Sequence, residues 1–114
     1  MTTPASLSPL AQQNDAFRRG EAHIKGRCVH TAAVDALGPV VVQSIWTMVR
    51  SFDAFTTEND AHGEHDFGAF NHPIAGAVFW KIDYYDLDYR YSAENPAELS
   101  QTRRVLTVML AADY

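Results

Sequence analysis

A single cysteine, Cys28, stands in 114 residues, so no disulfide can form within the chain. The fold needs a core without staples, and a reducing compartment suits such a chain. Long apolar runs are missing too. The longest surrounds Gly76 in "IAGAVFW", well short of the roughly 20 residues that span a bilayer. The opening "MTTPASLSPLAQQ" has neither a basic head nor an apolar stretch, so no secretory signal is expected and a cytoplasmic location is. Bases are scarce where acids crowd. Residues 52–98 hold ten acids against Lys81 and Arg90, a local balance of −8. That argues against direct nucleic-acid binding, because phosphate contacts need clustered Lys and Arg. No GxSxG, P-loop or GxGxxG occurs, which removes the commonest hydrolase and nucleotide-binding signatures.

What remains is enough for one folded domain. Apolar residues make up 46% of the chain, with two Trp and six Phe to bury. A Thr-, Ser- and Pro-rich stretch, 1–9, is expected to be flexible, and 10–114 to form a single α+β domain. "LAQQNDAFRR" (10–19) reads as a helix ended by Gly20. The β-branched stretch 21–31 reads as a strand. Pro39 suits the first turn of a second helix, with Val41, Ile45, Met48 and Phe52 along one face. Residues 66–72 and 77–85 read as a hairpin around "PIAG". Alternation then puts Val78, Trp80, Ile82 and Tyr84 on the core face and Phe79, Lys81, Asp83 and Tyr85 on the other. Asn95, Pro96 and Glu98 carry the signs of a capping box. They predict a closing helix that buries Leu99, Leu106, Met109 and Leu110 and turns Val108 and Arg104 outward. The expected order is α-β-α-β-β-α: about three antiparallel strands with helices packed on one face.

Ligand-type side chains are densest at "HGEHD", 62–66, with Asp60 before and His72 after. Imidazole and carboxylate suit zinc or another divalent ion. The spacing fits no known ligand motif, however, and Gly63 disfavours the helix that HExxH requires. The His-x-Glu pair also lacks the PCxxC half of the deaminase signature. The reading adopted is structural: Asp66 accepts backbone N–H groups where the strand starts, and His65 hydrogen-bonds beside it. A small metal-dependent enzyme centred on Glu64, His65 and Asp66 with Asp83 is the alternative. Asp83, Asp86 and Asp88 cluster near Lys81, either as an acidic strand end or as acid–base groups. Cys28 and His30 share a strand face, but a structural cysteine is the commoner outcome. No metal, cofactor or catalytic residue is assigned.

Three stretches carry a resemblance: "EHDFGAF", "VFWKIDYYD" and "TRRVLTVMLAADY", supported by "NDAFRR" and "SFDAFTTEND". Together they resemble a small bacterial family of unknown function, found on plasmids, prophages and other mobile elements and often beside antirestriction genes. Asn14, Asp15, Phe17 and Arg18 match its opening motif, and Asp60 with Gly63 to Gly68 its central one. Trp80 to Asp86 match its strand motif, and Arg103, Arg104, Leu106 and Met109 its last one. "NHPIAGA" departs from it as a longer, less polar turn.

What the resemblance implies is an interaction protein that inhibits a host defence system, of the anti-CRISPR or antirestriction kind. Its protein partner would be a basic, nucleic-acid-binding complex, met by an acidic and aromatic surface of Phe79, Lys81, Asp83, Tyr85, Asp86 and Asp88. A protein-binding domain unrelated to defence is the other non-enzymatic reading. No membrane partner is expected, and the chain would be a monomer or homodimer.

Overall fold

The computed structural model describes residues 7–114, so most of the stretch expected to be flexible lies outside it. Ser8 and Pro9 already belong to a helix start. Ser8 Oγ accepts the Ala11 N–H at 3.1 Å and Pro9 opens α1 (Pro9–Arg18). The chain leaves that helix through Gly20 at φ +88°, a left-handed value that glycine adopts freely.

β1 (Gly26–His30) follows, shorter than the stretch expected. A one-turn helix α2 (Ala32–Asp35) is capped by Thr31. Then α3 (Pro39–Arg50) begins at the expected proline. Its buried side is Ile45 and Val49, with Val41, Trp46 and Phe52 packed around them. Met48 is half-buried and lies off this stripe, because a 3.6-residue period puts 49 below 45. β2 (Phe67–His72) and β3 (Gly76–Tyr85) form the expected hairpin, paired from Phe67↔Lys81 to His72↔Gly76.

The closing helix does not form. Residues 99–101 make one 3₁₀ turn, and Arg103–Leu110 is a strand, β4. The capping signals at Asn95 and Glu98 build only that turn, where Thr102 Oγ1 donates to Asn95 O at 3.1 Å. Arg104, Leu106 and Val108 then alternate inward, and all three are fully buried. Val108 and Arg104 therefore belong to the interior. β-branched Val105, Thr107 and Val108 fit this pleated state better than a helix.

The four strands run β1-β4-β3-β2. β1 lies parallel to β4 and the other pairs are antiparallel, so the sheet is mixed. The fold is α+β, with helices on one face. Trp80 sits at its centre, fully buried, edge-on to Phe52 and Phe55 at 5.5 and 6.1 Å. Gly68 lies across from it on β2, where a Cβ would overlap the indole nitrogen. Among the described residues no helix is long and apolar enough to cross a membrane.

Candidate functional site

Two polar assemblies occupy different sides of the sheet. The first is internal. On α1, Asp15 and Arg18 are one turn apart, and Arg18 Nη2 donates to Asp15 Oδ1 at 2.8 Å. Arg18 Nη1 donates to the carbonyls of Val49 and Arg50 at 3.2 and 3.1 Å. Both carbonyls belong to the last turn of α3, where a cation is favoured. The guanidinium also lies 5.2 Å from the Trp80 ring and 5.5 Å from Phe55. Burial draws its pKa below the usual arginine value, against the opposing pull of Asp15.

His65 meets the same Asp15 carboxylate. Its Nδ1 is 2.9 Å from Asp15 Oδ1 and its Nε2 is 3.6 Å from Asp60 Oδ2. The ring stacks on Phe55 at 3.8 Å and 5°. Asp60, not Asp66, receives backbone donors: its Oδ1 accepts the N–H groups of Glu64 and His65 at 3.1 and 3.2 Å. These bonds hold His65 at φ +56°, a left-handed value that costs energy for a side chain of this size. Both imidazole nitrogens face protein carboxylates.

Asn14 fastens the rest. Its Nδ2 donates to Glu64 O at 3.0 Å and to the Tyr84 hydroxyl at 2.7 Å. Its Oδ1 accepts Arg104 Nε at 2.7 Å. Arg104 Nη2 donates in turn to Gln13 Oε1 at 2.9 Å and Pro96 O at 3.3 Å. The Tyr84 hydroxyl donates in turn to Asp66 Oδ2 at 3.3 Å. Burial pushes the Tyr84 phenol well above its usual range. Burial, together with the neighbouring Asp66 carboxyl, also holds Glu64 above the usual carboxylate range. Glu64, His65 and Asp66 are thus brought together by a network that ties α1 to the 53–66 loop, β3 and β4. Asp83 lies apart from them on the opposite sheet face.

That face forms the second assembly. Phe79, Lys81, Asp83 and Tyr85 share it, as the alternation of β3 requires, and apart from the 3₁₀ turn Ala111–Asp113 against its Phe79 end it carries no helix. At one end Phe79 meets Phe67 and Tyr114 at 5.7 and 5.4 Å. In the middle Lys81 Nζ lies 3.1 Å from Asp83 Oδ2, with both side chains about 40% exposed. At the other end Tyr85 meets Tyr89 at 6.5 Å, and Arg27 sits 4.0 Å over the Tyr89 ring. Asp86 turns out to be a turn-former. Its Oδ1 accepts the backbone N–H groups of Arg90 and Asp88 at 3.0 and 3.2 Å, and the Arg90 donor leads in holding its pKa below the usual range. Asp88 is exposed. Beside this turn opens a cleft of about 480 Å³, lined by Asp86, Tyr91, Glu94, Asn95 and Glu98 among others.

Cys28 and His30 do not form a nucleophile–base pair. Trp46 Nε1 donates to His30 Nδ1 at 3.2 Å, and His30 Nε2 faces Asp35 Oδ1 at 3.0 Å. An indole can only donate, so Nδ1 accepts and Nε2 carries the proton. Cys28 is exposed rather than a buried structural cysteine, and partial desolvation pushes its thiol up, toward its unreactive form.

Sequence reasoning missed the Asn14–Arg104 contact and the cleft that Tyr91, Glu94 and Glu98 help to line. A usable signal existed for α1 alone: Asn14 and Arg18 share a helix face with Ala11, one turn apart each.

The profile of a family described as a protein of unknown function (DUF3768) matches residues 30–113. The match excludes α1, which supplies Asn14, Asp15 and Arg18. No curated protein and no solved structure matches the chain.

Proposed function

For a chain that belongs to the DUF3768 family, we propose the role of an interaction protein that docks through the bare face of its sheet. One observation carries this reading. A four-stranded sheet leaves one face without α-helices, and that face presents aromatic rings at both ends with an ion pair between them. Aromatic anchors framed by charged groups are what protein interfaces favour.

The partner's chemistry follows from the charge beside the face. Asp86, Glu94 and Glu98 line the cleft at the Tyr85 end, and exposed Asp88 follows in the same turn. A basic protein surface, of the kind that normally holds nucleic acid, complements them. The resemblance to proteins of mobile elements supports a host defence complex, of the CRISPR or restriction kind, as that partner. Inhibition would then be by occupancy and need no cofactor.

The test is capture from a host that carries such complexes, followed by titration with variants. Tyr85→Ala should weaken binding by about 2 kcal/mol if the tyrosine is an anchor. Asp88→Lys should slow association and flatten its salt dependence. Asp86 is left intact because it holds the turn. Wild-type affinity in both folded variants would place the docking surface elsewhere.

A further inference from the structure

β2 is an edge strand with no charged residue, proline or bulge between its ends, Asp66 and Pro73 standing just outside them. Ile82 N donates to Asp66 O at 2.8 Å, which makes residues 66 and 82 a hydrogen-bonded pair of the antiparallel ladder. The alternation of such a ladder then turns the N–H and C=O groups of Phe67, Ala69 and Asn71 away from β3. Among the described residues no group bonds to them. Ala69 and Asn71 are exposed.

Edge strands usually carry a charge, a proline or a bulge that blocks further pairing. The other edge of this sheet follows that rule within the strand, since β1 carries Arg27. β2 does not. "FGAFNH" holds no Asp, Glu, Lys, Arg or Pro, and its pairing with β3 runs without a break from 67 to 72.

We propose that β2 is a homodimerisation edge, pairing antiparallel with β2 of a second copy about a two-fold axis at Ala69. An antiparallel strand is its own complement about such an axis, so each copy offers the donors and acceptors that the other lacks. Phe67 then stands opposite Asn71 of the partner and Ala69 opposite its equivalent, giving about six hydrogen bonds between the chains. Charge argues for a second copy as occupant. The chain carries a net charge of −5, so two copies repel over much of their surface, and β2 is a neutral stretch where strands meet without like charges. The smallest side chain of the outward set, Ala69, falls on the axis, directly opposite its own equivalent. The result is a continuous eight-stranded sheet with two bare faces side by side. This inference is independent of the partner reading, since it uses the strand's edge and not the face.

Sedimentation velocity tests it, over concentrations from about 10 μM to about 1 mM, the range a small interface requires. The wild type should move from the 12.7 kDa chain toward twice that mass. Ala69→Lys sets two like charges against each other on the axis, as does Ala69→Glu. Each variant alone should remain monomeric with an unchanged far-UV spectrum. Their equimolar mixture should dimerise again. Amide exchange at Phe67, Ala69 and Asn71 of the wild type should slow as concentration rises, which reads the same edge without any substitution. A wild type that stays monomeric throughout overturns the proposal. So does a dimer that survives in Ala69→Lys, or one that forms with no protection at those three amides.

Discussion

Replacing Asn14 by alanine should be among the costliest polar substitutions in the chain. Asn14 is fully buried, and its amide joins four segments through three hydrogen bonds of 2.7 to 3.0 Å. Tyr84 keeps Asp66 as a partner after the change. Glu64 O and Arg104 Nε do not. Arg104 Nη1 already lacks a partner, so the guanidinium would retain only the bonds of Nη2 to Gln13 and Pro96. Each buried group left unsatisfied costs about 1–3 kcal/mol, more when charged, so two give about 3–5 kcal/mol. Against a typical stability of about 5–15 kcal/mol, that removes at least about a fifth and, for a marginal domain, most of it. Urea unfolding followed by tryptophan fluorescence measures it directly, and a melting temperature lower by about 10–20 °C would accompany it. A double-mutant cycle with Arg104→Met should give a coupling of about 1–3 kcal/mol. A loss under about 1 kcal/mol for Asn14→Ala, with unchanged m-value, would refute the claim that this network fastens α1.

Three further outcomes follow from named contacts. Gly68→Ala should destabilise by about 1–3 kcal/mol, because its methyl must displace the rigid Trp80 indole; thermal melting reads this, and a neutral effect would show that the pair can separate freely. His72 Nδ1 accepts the N–H groups of Ile74 and Ala75 at 3.0 and 3.1 Å, so His72→Asn, which keeps an acceptor nearby, should preserve those two amide protections in hydrogen exchange while His72→Ala loses them. Glu64 is held above its ordinary range, so the folded state binds that proton more tightly than the unfolded state does. The resulting stability is full below the ordinary carboxyl range and is lost as pH rises through the raised value. Glu64→Gln should therefore stabilise at neutral pH, with the gain vanishing in acid; an equal gain at both would contradict the assignment.

Much of the architecture was legible locally, and the exceptions share a cause. α1, α3 and the hairpin each announce themselves by a proline, a cap or a strict alternation within a dozen residues. β4 carries two periods at once. Leu99, Leu106, Met109 and Leu110 fit one side of a helix, while Arg104, Leu106 and Val108 fit one side of a strand. What decides between them is the slot between β1 and β3, which exists only in the assembled fold. The internal polar network was illegible for the same reason: Asn14 meets residues 50, 70 and 90 positions away. His65 and Asp60 could be singled out as unusual from composition, but not that Asp15 would stand between His65 and Arg18.

The position of β4 has a consequence for how the chain comes to be folded. It is the last strand in sequence and an inner strand in space, with the first strand on one side and the hairpin on the other. Until residues 103–110 leave the ribosome, β1 has no neighbour, and β3 lacks its second one. Loop-closure entropy is therefore met late and nearly all at once. Nascent chains stalled before residue 103 should remain sensitive to protease throughout, and those stalled once β4 has cleared the exit tunnel should become resistant in a single step.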